Sequence, residues 1–318
     1  MYHWEGKRVL VTGGAGFIGG ELVEDLLRQG AIVDVIDNCT VGSEKSLPDG
    51  VDLFVKGDIN RENLRDLPGE YYDIVFHFGA PCSILLFDRD PLKLYNNAIT
   101  GAYSIREFCV EYSIPYLVYA SSATVYGKKS HDWERLHLAY QEDYPHSPAN
   151  IYGLTKCSEE SMDSLFPRLK TLALRIFPAY GAREYLKGKV ASVPYQFLVQ
   201  MMEGESPEVW EPGCQTRDFI YIDDLIYCIR TLSERKITGR VNIGTGKTVG
   251  YEMLIYHINN ILGTDIQERI VPNPYKESYV MDLKCSNYKL LEYIGDYKFI
   301  DIETGLMMML EELENGSS

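Results

Sequence analysis

Glycines crowd one short stretch of the chain, and this stretch limits the possible fold more than any other feature. Residues 12–20 read Thr-Gly-Gly-Ala-Gly-Phe-Ile-Gly-Gly, after an apolar run at residues 8–11 and before an amphipathic run at residues 17–29. Glycine is needed where a backbone turns tightly or where another backbone approaches closely. We therefore predict a strand, a tight turn and a helix that packs closely on that strand.

The first half of the chain repeats this alternation of strand and helix. Several of the predicted strands are apolar without alternation, which is typical of strands whose two faces are both covered by helices. The pattern predicts an α/β fold, a Rossmann-type doubly wound parallel sheet that binds ligands at the carboxyl ends of its strands. The strands are predicted at residues 8–11, 32–36, 53–55, 74–78 and 116–120, and the helices at residues 17–29 and 102–112.

The glycine turn and the end of the second strand predict a dinucleotide site. Gly13 permits the tight turn, Gly16 lets the backbone approach a pyrophosphate, and Gly19 lets the helix approach the strand. Asp37 ends the second strand, where a carboxylate accepts hydrogen bonds from both ribose hydroxyls and repels a 2′-phosphate. The site is therefore expected to prefer NAD to NADP. The alternative for Asp37 is a strand-end turn with Asn38.

The second half of the chain is less regular, and it predicts a second unit. Prolines interrupt it, and helical spacing returns only near residues 224–234 and 251–262. We predict an NAD-binding Rossmann domain at residues 1–175, with a returning segment near residues 216–245. Residues 176–318 are expected to form mainly a smaller mixed α/β domain that binds substrate.

Composition excludes several classes of partner. The formal net charge of −15 argues against nucleic-acid and anionic membrane surfaces. The seven cysteines contain no C-x-x-C pair, which argues against a disulfide framework and a zinc site. The chain also shows no signal peptide and no apolar run near the ~20 residues of a membrane span. We expect a cytoplasmic protein with free thiols and no metal.

Two later segments predict catalytic chemistry. Tyr152 and Lys156 are four residues apart in a predicted helix, so their side chains share one face. An ammonium there can depress the pKa of the phenol towards neutrality, which lets a phenolate act as a base. Residues 121–127, Ser-Ser-Ala-Thr-Val-Tyr-Gly, follow the strand at residues 116–120 and supply Ser122.

Taken in order, these motifs resemble the extended short-chain dehydrogenase/reductase family, specifically its nucleotide-sugar epimerases and dehydratases. The resemblance covers nearly the whole chain. It implies a UDP-sugar substrate, NAD as cofactor and a homodimer that pairs through helices near residues 102–112 and 152–165. Leu154, Met162 and Leu165 are alternatively core residues. The motifs lie at residues 12–19, 77–80 (His-Phe-Gly-Ala), 121–127, 152–156, 215–224 (Gln-Thr-Arg-Asp-Phe-Ile-Tyr-Ile-Asp-Asp) and 242–246 (Asn-Ile-Gly-Thr-Gly).

The resemblance also implies catalytic roles. Tyr152 would take the proton of the sugar 4-hydroxyl, Lys156 would hold the ribose hydroxyls and keep Tyr152 anionic, and Ser122 would hydrogen-bond the same oxygen. The alternatives are a plain turn serine and an ordinary core tyrosine. Arg217 would grip the phosphates of the sugar nucleotide with its planar donors, unless it forms a surface ion pair.

The implied ligand contacts form a larger set. Asp58 would meet the adenine amino group or simply cap a turn, and Asp223 and Asp224 would orient local backbone and cap the following helix. The residues expected to contact NAD are Gly13, Gly16, Phe17, Ile18, Gly19, Asp37, Asn38, Asp58, Ile59, Ala80, Tyr152 and Lys156. The residues expected to contact the sugar nucleotide are Ser122, Ala123, Thr124, Tyr152 and Arg217.

Two departures from the family pattern concern substrate recognition. Pro178 stands in the stretch Arg-Ile-Phe-Pro-Ala-Tyr-Gly, where the family carries an asparagine whose amide contacts substrate. The connection at residues 128–142 is longer than usual and contains His131, Trp133 and His137. It is either an active-site lid or a surface loop.

Three functions are compatible with these residues. A 4-epimerase needs room for the 4-keto sugar to turn but no further acid or base, which fits Ala123 and Thr124. A dehydratase needs an added acid/base pair, which the 4,6-dehydratases carry as Asp-Glu at these two positions. Cys82, Ser83 and the loop around His131 are possible substitutes. The third is a non-enzymatic NAD-binding protein. The sequence favours the epimerase, with the dehydratase second.

Overall fold

The computed structural model describes residues 3–68, 72–87, 90–128, 138–276 and 278–316. The strands in these ranges are β1 (Arg8–Thr12), β2 (Ile32–Asp37), β3 (Leu53–Lys56), β4 (Ile74–His77), β5 (Tyr116–Ser122), β6 (Lys170–Ile176), β7 (Ala179–Tyr180), β8 (Glu208–Trp210), β9 (Thr216–Arg217), β10 (Ile220–Tyr221), β11 (Gly239–Ile243), β12 (Val249–Gly250), β13 (Arg269–Val271) and β14 (Asp282–Leu283).

Helices cover and connect these strands. The α-helices of the same ranges are α1 (Phe17–Arg28), α2 (Ile84–Phe87), α3 (Pro91–Glu111), α4 (Ile151–Ser161), α5 (Val193–Met202), α6 (Ile222–Glu234), α7 (Tyr251–Leu262), α8 (Tyr288–Ile294) and α9 (Ile302–Gly316). Short 3₁₀ segments lie at Glu44–Ser46, Asn63–Asp66, Ala123–Tyr126, Met162–Leu165 and Ala182–Val190. None of the helices in the part of the chain that is described is both long and apolar enough to cross a membrane.

The predicted alternation of strands and helices in the first half is confirmed, with one helix longer than expected. The helix predicted at residues 102–112 begins at Pro91, where Asp90 accepts a hydrogen bond from the Lys93 amide and proline occupies the first turn. Leu92 in this first part is 67% exposed. Because this part of the helix carries little of the buried face, apolar periodicity did not reveal it.

Seven parallel strands form the main sheet, in the order β11-β6-β5-β4-β1-β2-β3. Val9 and Val11 of β1 pack into one buried cluster, and Leu10 between them packs into a second cluster on the other face. Neither face of the strand meets solvent, which is why its sequence does not alternate. The predicted Rossmann-type doubly wound parallel sheet is confirmed.

The order of the strands reverses between β1 and β4. The chain runs outward from β1 through β2 and β3, then crosses back to β4 and continues through β5 and β6 on the other side. In an open parallel sheet, the loops at such a reversal diverge and leave a crevice at the carboxyl ends of the strands. The glycine turn after β1 and the loop after β4 border this crevice.

The remaining strands form small sheets beyond β6, consistent with the smaller mixed α/β unit expected there. These sheets pair β7 with β10, β8 with β13, and β9 with both β12 and β14. Residues 222–243 return to the main sheet, since α6 contacts α1 and β11 pairs with β6. An ion pair of 3.0 Å between Arg230 and Asp25 joins α6 to α1. The division into domains at residue 175 stays a prediction.

A buried ion pair fixes α4 to the sheet. Both carboxylate oxygens of Glu160 accept from Arg175 of β6, at 2.9 and 2.8 Å, and one of them also accepts from Ser121 at 2.6 Å. Burial alone would raise the pKa of Glu160, but the hydrogen bonds from Arg175 and His146 outweigh it and lower the pKa to about 2. This carboxylate is therefore charged at every pH at which the protein is expected to fold.

We predict that Glu160→Gln lowers the free energy of unfolding at neutral pH by roughly 3 kcal/mol, because it leaves Arg175 buried without its partner. The lowered pKa stabilises the fold above about pH 4.5, and this contribution is lost as the pH falls towards 2. The difference in the free energy of unfolding between wild type and variant should therefore become smaller as the pH falls. Denaturant unfolding across this pH range measures it, with Glu311→Gln as an exposed control. A gap that stays constant would contradict the assignment.

Candidate active site

The glycine turn after β1 is as tight as its sequence predicts. Gly13 has φ +76°, and a Cβ on it would lie 2.6 Å from the Gly79 nitrogen in the loop after β4. A Cβ on Gly19 would lie 2.1 Å from the Gly13 carbonyl oxygen, so the close approach predicted for Gly19 is to the turn rather than to the strand. Both positions exclude any side chain.

Gly16 differs from these two glycines because a Cβ there would make only ordinary van der Waals contacts. It precedes the first residue of α1, and the nearest atom to a Cβ there is the Gly13 carbonyl oxygen at 3.4 Å. Phe17 and Ile18 follow in the first turn, whose amides have no partner within the helix. The unpaired amides of this first turn suit an anion, as the predicted pyrophosphate contact requires.

The other residues predicted to bind NAD lie on the loops around this turn. Asp37 is 8% exposed, and its carboxylate accepts from the amides of Ala15 at 3.0 Å and Cys39 at 2.7 Å. Burial raises the pKa of Asp37, whereas the hydrogen bonds from these two amides lower it, and burial prevails. Asn38 donates to the exposed Asp58 carboxylate at 2.6 Å. These contacts bring the ends of β2 and β3 to the glycine turn.

Ile59 and Ala80 line the same crevice. The Ile59 side chain packs so closely on Gly79 that a Cβ there would lie 2.5 Å from its Cδ1. The Ala80 amide donates to the Phe78 carbonyl at 3.0 Å, which folds the backbone after β4 back on itself. The structure thus places these two predicted residues beside the glycine turn.

The catalytic candidates come together at the ends of β5 and α4. Ser122 is the last residue of β5, and its hydroxyl accepts from the Thr124 amide at 3.2 Å and hydrogen-bonds Tyr152. Asn150 caps α4 by accepting from the Gly153 amide at 2.9 Å, which fixes where the helix begins. A Cβ on Gly153 would lie 2.6 Å from the Thr124 carbonyl oxygen, so glycine lets α4 approach the serine turn.

Lys156 is buried below Tyr152 in the same helix, with 4% of its surface exposed. Its ammonium donates to the Ala120 carbonyl at 2.6 Å and to Glu159 at 3.1 Å. Burial alone would lower the pKa of Lys156, but Glu159 and Tyr152 outweigh it, so the pKa lies above its ordinary value. Lys156 therefore carries a full positive charge at neutral pH.

Lys156 lowers the pKa of Tyr152 as predicted, but the net pKa is not lowered. Burial raises this pKa, while the Lys156 ammonium and the hydrogen bond with Ser122 lower it, and burial prevails. The predicted direction of the lysine effect is confirmed. The pKa of Tyr152 nevertheless lies above its ordinary value, not nearer to neutrality, because the spacing of residues in the sequence does not report desolvation.

The predicted substrate contacts lie on both sides of this cluster. Ala123 is buried, and the Thr124 hydroxyl is buried without a hydrogen-bond partner among the described residues. Arg217, in the small sheet of β9, β12 and β14, donates to the carbonyls of Thr216, Met281 and Val280, and its guanidinium lies 5.0 Å from the Tyr279 ring centre. These bonds do not use all five guanidinium donors, so the phosphate role stays a prediction.

A second lysine near the site escaped the sequence analysis. Lys187 lies 5.3 Å above the Phe17 ring, donates to the buried Glu184 at 2.7 Å, and interacts electrostatically with Tyr152 and Cys82. It belongs to the irregular segment Ala182–Val190, which carries no periodic pattern and no motif. The structure therefore adds a cation and a thiol to the surroundings of Tyr152.

Asp218 orients nearby backbone, a role that was predicted for Asp223 and Asp224. Its buried carboxylate accepts from the amides of Thr245 and Gly246, and so holds the loop after β11. The predicted cap on α6 is wrong: the residue before this helix is Tyr221, with no side-chain cap. Asp224 instead accepts from the distant Ile300 amide at 2.8 Å.

The long connection at residues 128–142 is described only in part. His131, Trp133 and His137 lie outside the described residues, so the prediction of a lid or surface loop for them is untested. Tyr140 at its end donates to the Gly127 carbonyl at 2.8 Å, and Glu142 accepts from the Asn242 amide at 2.9 Å. These contacts join the end of the connection to β11.

Comparison with known proteins agrees with this geometry. The model of the NAD dependent epimerase/dehydratase family matches residues 9–244. The chain belongs to this family. The resemblance predicted from the motifs is thereby confirmed, and the chain is an NAD-dependent enzyme of the epimerase/dehydratase type. A Methanocaldococcus jannaschii protein named "Putative UDP-glucose 4-epimerase" is 30% identical over 315 residues, which cover 97% of this chain and 99% of that protein.

Two solved structures share the whole fold. UDP-glucose 4-epimerase from Thermotoga maritima, solved with UDP-glucose, has a TM-score of 0.89 and 26% identity, and the match covers 98% of this chain and 100% of that one. UDP-glucose 4-epimerase from Thermus thermophilus, solved in complex with NAD, has a TM-score of 0.85 and 25% identity, with 96% and 99% of the chains covered.

The residues at the crevice fit the family's cofactor. A side chain on Gly13 or Gly19 would collide with backbone, whereas a Cβ on Gly16 would make only ordinary contacts. Gly16 immediately precedes α1, and the unpaired amides of a first helical turn suit an anion. The Asp37 carboxylate, at the end of β2, suits ribose hydroxyls and disfavours a 2′-phosphate. NAD is the cofactor of this protein, and its site fits these residues.

We predict that three glycine-to-alanine variants separate folding from NAD binding. Gly19→Ala collides with the Gly13 carbonyl and should cost about 1–3 kcal/mol of stability as well as NAD binding. Gly16→Ala has room in the folded chain and should keep its stability but lose NAD affinity. Calorimetric titration with NAD and denaturant unfolding measure the two quantities. Gly250→Ala, with its nearest neighbour at 3.9 Å, is the control.

Proposed function

We propose that this protein is a UDP-sugar 4-epimerase that oxidises its substrate transiently at C4. One observation carries the proposal. Ser122, Tyr152 and Lys156 converge at the carboxyl end of β5 beside the glycine turn, and the two residues after Ser122 are Ala123 and Thr124. This set can move one proton at one sugar hydroxyl, which is what C4 oxidation needs.

NAD, when bound, would supply the redox chemistry of the reaction, that is, reversible hydride transfer at C4 and the positive charge of an oxidised ring. Tyr152 takes the proton of the 4-hydroxyl during oxidation and gives it back during reduction. Ser122 hydrogen-bonds the same oxygen, and the Lys156 ammonium favours the phenolate. The net reaction therefore consumes no cofactor, proton or water.

Inversion at C4 requires the 4-keto sugar to present its other face before reduction. That step needs space, and no further acid or base takes part. Ala123 and Thr124 offer neither a carboxylate nor an imidazole where the 4,6-dehydratases carry Asp-Glu. The Thr124 hydroxyl is buried and has no hydrogen-bond partner within the described part of the chain. Arg217 is proposed to hold the phosphates of the nucleotide, and Pro178 leaves the family's amide contact unfilled.

A nucleotide-sugar dehydratase is the second candidate, and one observation favours it. Cys82 and Lys187 both interact electrostatically with Tyr152, so two titratable groups lie close to the phenol. An elimination of water after C4 oxidation needs such groups to remove a carbon-bound proton and to protonate the leaving hydroxyl. The products of the two reactions distinguish the candidates directly.

We predict that NAD-loaded protein converts one of UDP-glucose, UDP-N-acetylglucosamine or the corresponding uronates to its C4 epimer. Time-resolved proton NMR follows the anomeric signals. Tyr152→Phe should reduce the rate roughly a hundredfold or more, because the proton at O4 then has no acceptor. Tyr256→Phe, on the exposed face of α7, is the matched control.

Olefinic or 6-deoxy-4-keto signals would contradict the epimerase proposal and show a dehydratase instead. Full activity of Tyr152→Phe would remove the catalytic role of the phenol and favour a different base.

The remaining parts of the proposal concern assembly and location. Val110 on α3 and Leu154 on α4 are 51% and 46% exposed, and Leu165 just after α4 is 66% exposed, so Leu154 and Leu165 are not core residues. We propose that two copies pair through these helices, and that the protein works in the cytoplasm, where its seven free cysteines stay reduced.

We predict that Leu154→Lys shifts the protein from dimer to monomer, because an ammonium in an apolar interface would be desolvated. Sedimentation analysis measures the mass, and Met253→Lys on the exposed face of α7 is the control. A wild-type monomer would contradict the proposal.

A further inference from the structure

A buried carboxylate lies under the catalytic pair, and the proposed mechanism does not use it. Glu159 follows Lys156 by three residues on α4, and 2% of its surface is exposed. Its Oε2 accepts from the Lys156 ammonium at 3.1 Å. Burial alone would raise the pKa of Glu159, but Lys156 outweighs it, so the carboxylate is charged at neutral pH.

The second oxygen of Glu159 is poorly satisfied. Its Oε1 has no hydrogen-bond partner among the described residues, and the nearest charged-type contacts are His77 Nε2 at 3.6 Å and Arg106 Nη1 at 4.0 Å. These distances exceed that of a hydrogen bond. Lys156 is therefore the partner that holds this carboxylate.

His77 connects the carboxylate to the cofactor turn. Thr12 Oγ1 accepts from the Gly79 amide at 3.0 Å and shares a hydrogen bond of 2.8 Å with His77 Nδ1, in which the tautomer of the ring sets the donor. Burial lowers the pKa of His77 to about 4, which makes the ring neutral. Its Nε2 lies 3.6 Å from Oε1 of Glu159. A neutral ring contributes only a dipole, so the cations that face Glu159 are Lys156 at 3.1 Å and, at the longer distance of 4.0 Å, Arg106.

Lys156 thus has two possible anionic partners. One is Glu159, which is always charged, and the other is Tyr152, which becomes charged only after its hydroxyl loses a proton. The negative charge of Glu159 offsets part of the positive charge of the ammonium, and this makes a second negative charge on Tyr152 less favourable. Other groups also act on these three residues. Tyr152 interacts with Cys82, Lys187 and Ser122, and Lys156 interacts with Cys82. Glu159 interacts with His77 and Arg106.

We propose that Glu159 is a positioning residue for the catalytic lysine: its carboxylate competes with Tyr152 for the Lys156 ammonium and so sets how readily the Tyr152 hydroxyl releases its proton. The inference rests on the proposed function for the role of Tyr152 as base. It goes beyond that function because it assigns the reactivity of the phenol to a carboxylate that touches neither substrate nor cofactor.

Glu159→Gln removes the charge and keeps the shape, so the ammonium loses its permanent counter-ion. The phenolate then becomes the nearest anion available to Lys156, and its formation is favoured. We expect the titration midpoint of Tyr152 to fall by roughly one pH unit, which is about a tenfold higher ratio of phenolate to phenol at fixed pH.

Ultraviolet difference titration of the NAD-loaded protein measures this midpoint directly. The phenolate absorbance of the protein is recorded against pH, and that of the same protein carrying Tyr152→Phe is subtracted. Glu160→Gln is the matched control, because Glu160 is equally buried and adjacent in sequence but bonds Arg175 instead of Lys156. It should leave the midpoint nearly unchanged. If the Glu160→Gln protein does not fold, Asp224→Asn replaces it as the control, because Asp224 is buried and bonds the Ile300 amide. Glu159→Ala likewise replaces Glu159→Gln.

Repeating the Glu159→Gln change in a Lys156→Met background tests the route of the effect. The shift should become much smaller there, because no ammonium remains for the two anions to share. A midpoint that stays in place or rises in Glu159→Gln overturns the proposal, and so does a shift of equal size without Lys156. The titration uses no sugar. A protein that shows the shift but does not epimerise any sugar nucleotide would therefore contradict the proposed function and leave the role of Glu159 supported.

Discussion

The close approach of two backbone turns at the centre of the sheet controls the rest of the molecule. Strands β1 and β4 are neighbours, and the turns after them meet so closely that Gly13 has no room for a side chain against Gly79. The same turn excludes a side chain at Gly19 and so determines how near α1 can come. Because strand order reverses here, this contact also forms the floor of the crevice that receives NAD.

The catalytic groups depend on this floor through buried polar contacts. His77 ends β4 and hydrogen-bonds Thr12 at the end of β1, and it faces Glu159 on the helix that carries Tyr152 and Lys156. The proton affinity of the phenol is therefore decided by charges beneath it as well as by the lysine beside it. Burial raises the pKa of that phenol, which leaves the positive charge of the bound cofactor as a further influence on its ionisation.

The substrate side of the crevice is built differently. Arg217 and Asp218 lie at small sheets in which strands of two or three residues are held by side-chain contacts to backbone carbonyls and amides. Short strands give such a region little regular hydrogen bonding of its own, so its shape follows from individual loops. The substrate contact proposed for Arg217 lies in this region, whereas the proposed catalytic residues lie on the main sheet and α4.

The sequence by itself determined the fold class and the cofactor, and it pointed to Ser122, Tyr152 and Lys156 as the proposed catalytic residues, because each of these depends on local patterns. Non-alternating apolar strands, a glycine turn and a tyrosine and lysine four residues apart impose their geometry within a few residues. Helix α3 was found only in part, because its first turns bury little. The tertiary structure alone decided which charges surround Tyr152. Glu159, His77 and Lys187 reach that neighbourhood from separate elements, and burial, which sets the strength of their interactions, depends on the packing of the whole chain.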